Sequence, residues 1–309
     1  MEEETSRAHH FATGKRIVCA MKYPFAFSIL SLALTFGARM QASSNHAFQH
    51  LVVFGDSLSD TGNRLVIDGV PHPPYHHGRW TNGPNWVDYF APLAGFGAPK
   101  AYLQGGGTNF AVGGATSEYM MGEVATYIRI SGGHVPPNNL YVFWIGANDF
   151  RAGLAPSQTL DFIRVALTDL AMAGARWMVV ITVPDISITP EIRAAGSAAA
   201  AKQSVTAVNA GLESRLPPLA RLLGIHVTLI DINPILHRVI AHPEAYGFTN
   251  SKGAAFDLQT GAEAANPDAF VFWDGFHPTT HAHKIAAETI FGELQGRRVL
   301  APVSATGGR

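Results

Sequence analysis

The sequence predicts an α/β fold built on a mainly parallel sheet, and three observations predict it. Apolar runs of strand length recur along the chain, stretches of helical periodicity separate them, and the residues able to do chemistry follow directly after the runs. A run that is apolar at every position must be covered on both faces, which is how strands of a parallel sheet are buried.

The elements follow in order. Leu51, Val52, Val53 and Phe54 form the first strand, ended by the turn at Gly55. The Asp68-Gly69 pair inside 65–70 reads as a small hairpin turn. A short strand over 109–112 comes next. The stretch 117–137 carries Tyr119, Met120, Met121 and Tyr127, and it reads either as a wall of a pocket or as a helix packed on the core. Strands at 140–145, 177–183 and 227–230 bring the sheet to five, with helices at 159–173, 194–216 and 281–294 between and after them.

Composition bounds the rest. With 309 residues and 47% hydrophobic content, the chain can bury one sizeable core, assigned to a single domain over 45–300 with a polar tail at 301–309. Lys plus Arg number 22 against 23 Asp plus Glu, a net charge of −1 with no basic stripe, which argues against a nucleic-acid partner. Residues 1–44 read as an extension plus a signal peptide. Met21 and Lys22 precede the apolar stretch 23–36, so Met21 is the expected start, and 38–47 is the expected cleavage region. The apolar stretch is shorter than the ~20 residues of a membrane span. The single cysteine, Cys19, lies upstream of it, so the exported protein, secreted or periplasmic, is expected to hold no disulfide.

Chemistry concentrates in four blocks. FGDSLSDTGN places Ser57 in the turn after the first strand, at the carboxyl edge where α/β proteins bind ligands. A hydroxyl needs an imidazole to take its proton, and the imidazole needs a carboxylate to fix its tautomer. The segment 273–279 supplies both, as His277 and Asp274. Donors for an oxyanion come from two places: TNFAVGGA, where Gly113 and Gly114 allow close backbone approach, and Asn148, just past the strand at 140–145. Ser59 stands where a G-x-S-x-G elbow would need its second glycine, which disfavours an α/β-hydrolase fold.

These blocks, in this order, resemble the GDSL family of the SGNH hydrolases. GRWTNGPNWVD at 78–88 and VPDISITP at 183–190 also look like segments of that family, so the similarity spans about 50–295. It is nearest in flavour to the bacterial phospholipase, lecithinase and haemolysin branch. The resemblance implies a three-layer α/β/α, flavodoxin-like fold with Ser57 as nucleophile and Asp274 with His277 completing a triad. It further implies an oxyanion hole of the Ser57 N–H, Gly113 and Asn148. An esterase or lipase acting on lipid or phospholipid esters through an acyl-enzyme follows, with transient contact to a membrane or lipid surface and neither cofactor nor metal. An acyltransferase using the same acyl-serine, a polysaccharide O-deacetylase and a catalytically dead binding protein are the rival readings.

Other polar residues receive structural roles. Asp149 is expected to cap or hold a turn, and Asp56 and Asp60 to brace the Ser57 turn by accepting backbone hydrogen bonds. His277, His281 and His283, like His72, His76 and His77, have spacings open to a metal. Their lack of Cys or carboxylate partners favours ordinary roles.

Overall fold

A strand buried on both faces must send alternate side chains into two separate cores, and β1 (Leu51–Gly55) does so. Val52 and Phe54 enter one cluster, while Leu51 and Val53 enter the other. Strands β2 (Leu140–Trp144), β3 (Trp177–Ile181) and β4 (His226–Ile230) continue the sheet. All pairs are parallel, in the order β1-β2-β3-β4. The computed structural model describes residues 48–300 except Ala98. The expected signal segment, with Met21 and Cys19, and the tail at 301–309 lie outside the described residues.

Nine helices among the described residues connect the strands. They are α1 (Asn63–Asp68), α2 (Trp86–Leu93), α3 (Ser117–Ile130), α4 (Ala147–Arg151) and α5 (Pro156–Met172), then α6 (Pro190–Ala194), α7 (Ala198–Leu223), α8 (Asn233–Ala241) and α9 (Thr280–Gly296). Met120 and Val124 of α3, Ile163 and Leu167 of α5 and Val208 and Leu212 of α7 fill the core on the Phe54 side. Trp86 and Phe90 of α2, Ile235 and Val239 of α8 and Ile290 and Leu294 of α9 fill the other. The result is the three-layer α/β/α arrangement. None of the helices among the described residues is long and apolar enough to cross a membrane.

The sheet has four strands where five were expected. Residues 108–112 do run beside β1, with Val53 N–H donating to Thr108 O (3.0 Å), Phe110 N–H to Val53 O (2.8 Å) and Val112 N–H to Gly55 O (3.1 Å). Side chains then capture the other edge of the segment. Asn109 Oδ1 accepts the Ala111 N–H at 3.0 Å, and Asn63 Nδ2 donates to both Asn109 O and Ala111 O. The backbone of Tyr102 and Lys100 pairs with Asn109 on that edge as well, so beside these side-chain bonds only isolated bridges from Asn109 to Val53 and Ala101 remain. Counted as an edge, this segment completes the order 2-1-3-4-5, whose switch point lies beside β1.

Two local expectations also resolve. Gly69, with φ of 80°, closes helix α1 by donating its N–H to Leu65 O, so Asp68-Gly69 is a helix end and forms no hairpin. In α3, Met120 and Tyr127 are buried in the core while Tyr119 is half exposed, which is the core-helix reading of 117–137. Gly55, with φ of 155°, is required by space as well: a Cβ there would lie 2.3 Å from Trp144 O. The chain therefore leaves β1 directly over the end of β2. A second, two-stranded parallel sheet, β5 (Asn250–Ala254) with β6 (Phe270–Phe272), was not foreseen, and β6 runs straight into Trp273 and Asp274.

Candidate active site

The turn after Gly55 is built from its own carboxylates. Asp56 Oδ1 accepts the Leu58 N–H at 3.0 Å, and Asp56 O accepts those of Ser59 and Asp60. Asp60 Oδ1 accepts from Gly62 and Asn63, both at 2.7 Å, and its Oδ2 accepts from Arg64 at 3.0 Å and Gly113 at 2.8 Å. Both aspartates brace the turn as expected. Ser57 sits at its centre, buried, with its own N–H free of any acceptor among the described residues.

On the other side, β6 delivers a tight turn over 273–277. Trp273 N–H donates to His277 O at 2.8 Å, and Asp274 Oδ1 accepts the N–H groups of Phe276 and His277, each at 2.7 Å. That turn aims the imidazole. His277 Nδ1 lies 2.7 Å from Asp274 Oδ2, and His277 Nε2 lies 2.8 Å from Ser57 Oγ. The Tyr75 hydroxyl donates to the same Oδ2 at 2.6 Å. Burial alone would raise the Asp274 carboxyl, but the adjacent His277 charge, its hydrogen bonds and that of Tyr75 hold it at about 2. Burial first, and the Asp274 charge second, push the Tyr75 phenol upward, so it stays a donor.

Asn148 stands in the first turn of α4, at the carboxyl end of β2. Its Nδ2 donates to Ala115 O at 3.0 Å, which leaves one amide hydrogen uncommitted. Gly113 differs from expectation: its N–H is spent on Asp60 Oδ2. The next amide along, that of Gly114, has no acceptor among the described residues. The sequence could not tell the two glycines apart for this role, although Gly113 was the expected donor, because a backbone amide's direction is set by the fold.

The remaining polar residues separate. Asp149 accepts from Ser117 N at 2.8 Å and Ser117 Oγ at 2.5 Å, tying α4 to the start of α3, the holding role expected of it. His281 tilts against Phe248 with its Nδ1 on Asp268 O, and His283 is buried in α9, where burial lowers it to about 3. Among the described residues no three metal-ligating groups gather.

Two residues of the site escaped the sequence reading. Tyr75 lay inside PHPPYHH, where the histidines drew attention, and Trp80 lay inside the segment 78–88 without an assigned role. Trp80 packs over His277 with ring centroids 5.3 Å apart. Arg79 pairs with Asp88 through Nε and Nη2 at 2.7 and 2.8 Å, fixing this loop to α2. No sequence pattern gave Tyr75 or Trp80 a role, since their contacts with Asp274 and His277 join segments distant along the chain.

The chain is similar to Lipase 1 of Photorhabdus luminescens, 28% identical over 87% of this chain and 53% of that protein. It is also similar to the thermolabile hemolysin of Vibrio parahaemolyticus serotype O3:K6, 29% identical over 77% of this chain and 62% of that one. The phosphatidylcholine-sterol acyltransferase of Aeromonas hydrophila is 27% identical over 87% of this chain and 96% of its own length. The chain thus spans little more than half the length of the first two relatives. The family model for GDSL-like lipase/acylhydrolase matches residues 51–290, a span that takes in every block described above, and the chain belongs to that family.

Proposed function

We propose that the protein hydrolyses carboxylic esters through an acyl-serine, with Ser57, His277 and Asp274 as its triad. The supporting observation is the unbroken hydrogen-bond chain from Ser57 Oγ through the imidazole to Asp274 Oδ2, at 2.8 and 2.7 Å. His277 Nε2 takes the proton as Ser57 Oγ attacks the ester carbonyl, and the developing oxyanion accepts from the Ser57 N–H, the Gly114 N–H and the free Asn148 amide hydrogen. Collapse expels the alcohol, which His277 protonates. Water then attacks the acyl-serine with His277 as base, releasing the acid and restoring Ser57.

Lipid esters are the substrate class this reading favours, since relatives carry the names lipase and hemolysin. A second reading, transfer of the acyl group from Ser57 to an acceptor alcohol, is favoured by the acyltransferase that aligns over nearly its full length. The basic and apolar stretch at 21–36 supports export. The decisive test is hydrolysis of a short p-nitrophenyl ester by wild type and Ser57→Ala, repeated with an acceptor alcohol present. Loss of at least 10³-fold in the variant is expected. Wild-type rates in Ser57→Ala would sink the assignment, and acyl transfer outrunning hydrolysis would favour the second reading.

A further inference from the structure

Each of the three reacting groups has a chain neighbour in the wall of one apolar cavity. Leu58 follows Ser57, Ala147 precedes Asn148, and Phe276 and Pro278 flank His277. All four line a cavity of about 90 Å³ whose walls are almost wholly apolar, with residues of α8 and α9 completing the lining. A polar group entering it would lose its water without gaining partners, so its natural occupant is hydrocarbon. His277 and Asp274 themselves line a different space, an outer cleft of about 410 Å³ shared with Tyr75, Trp80 and Arg151. Phe276 alone of the residues flanking the imidazole belongs to both walls.

Chemistry orients a substrate across that partition. His277 must reach the leaving oxygen to protonate it, so the alcohol half belongs in the outer cleft, and the acyl chain is left with the side beyond Phe276. We infer that the inner cavity is the acyl-chain site and that it reads the acyl chain only out to about six carbons. This rests on the ester-hydrolase reading above. An apolar cavity of ~150 Å³ holds a six-carbon ring, so about 90 Å³ seats roughly four carbons beyond the acetyl unit.

The test is the wild-type chain-length profile of kcat/KM on p-nitrophenyl esters from acetyl to palmitoyl. Burial of each methylene is worth about fourfold, so the profile should climb by that step to about hexanoyl and then level. Ala286→Leu, on α9, narrows the cavity and should lower the hexanoyl-to-acetyl ratio at least tenfold. Ile235→Ala, on α8, widens it and should move the plateau to longer chains. Circular dichroism establishes which variants are folded, and the wild-type profile decides even if neither is. A flat profile from acetyl to hexanoyl in an enzyme whose activity depends on Ser57 overturns the inference alone, as does a folded variant whose profile superimposes on wild type. A protein inert to every ester, or one whose hydrolysis survives Ser57→Ala, overturns the underlying reading as well.

Discussion

Two aspartates face the ends of the Ser57–His277 pair, and they titrate in opposite directions although both are buried, Asp56 at 1% and Asp274 at 2% exposure. Asp56, in the Ser57 turn, accepts one hydrogen bond through Oδ1, and its Oδ2 has no partner among the described residues. Burial pushes it up to about 7, against weaker relief from the Leu58 amide and His277. Asp274, in the turn after β6, accepts two amides on one oxygen and an imidazole and a phenol on the other, and it is held at about 2. Burial does not decide which carboxyl is an anion at neutral pH. The donors and the charge gathered around it do, and only the Asp274 side is equipped to stabilise an imidazolium.

The sharpest way to break this contrast is Asp274→Asn. Its oxygen could still accept the Phe276 and His277 amides, but its NH₂ would face His277 Nδ1 and force the proton to Nε2, where it blocks acceptance from Ser57. A tautomer error of this kind costs about 10⁴-fold in kcat. A loss below tenfold on a p-nitrophenyl ester, with the fold intact, would mean that Asp274 only builds the turn.

Asp56→Asn probes the other side through stability. The folded value, about 7, lies above the unfolded ~3.9, so the native state holds its proton more tightly. The associated stability is fully present below pH ~4 and is lost as pH rises through 7, to at most ~4 kcal/mol. Asn cannot ionise, yet it keeps an acceptor for Leu58 N–H. The variant should melt with wild type at pH 4 and several degrees above it at pH 8. Parallel Tm curves across that range would show that Asp56 is not the buried acid described here.

Much of this contrast could not be read along the chain. Ser57, Asn148, Asp274 and His277 stood out because each follows a strand or sits beside a partner three residues away, and the four strands of the sheet stood out because short, mostly apolar runs have few alternatives. What stayed hidden depends on contacts between distant segments. The segment at 108–112 reads as a strand until Asn63, at the start of α1, binds the carbonyls of Asn109 and Ala111. Gly113 reads as a free donor until Asp60 claims it. β5 has the sequence NSKGA, with no apolar alternation to announce a strand, and only its pairing with β6 makes it one.

Tyr75→Phe gives the smallest effect and the finest resolution of the comparison. The ring makes edge contacts with Trp80, Phe256 and Trp273, which Phe preserves, so only the hydrogen bond to Asp274 Oδ2 is removed. A hydrogen bond to a charged group is worth about 1.5–3 kcal/mol, but three other donors remain on this carboxylate, so a loss of roughly tenfold in kcat is expected. Because the bond acts on the base through its carboxylate, the loss should be the same for acetyl and hexanoyl esters. Tyr75 also lines the outer cleft, which supplies the competing explanation. If the variant raised KM for bulky alcohols and left kcat unchanged, the phenol would be reading the leaving group, and the charge balance at Asp274 would rest on His277 and the two turn amides.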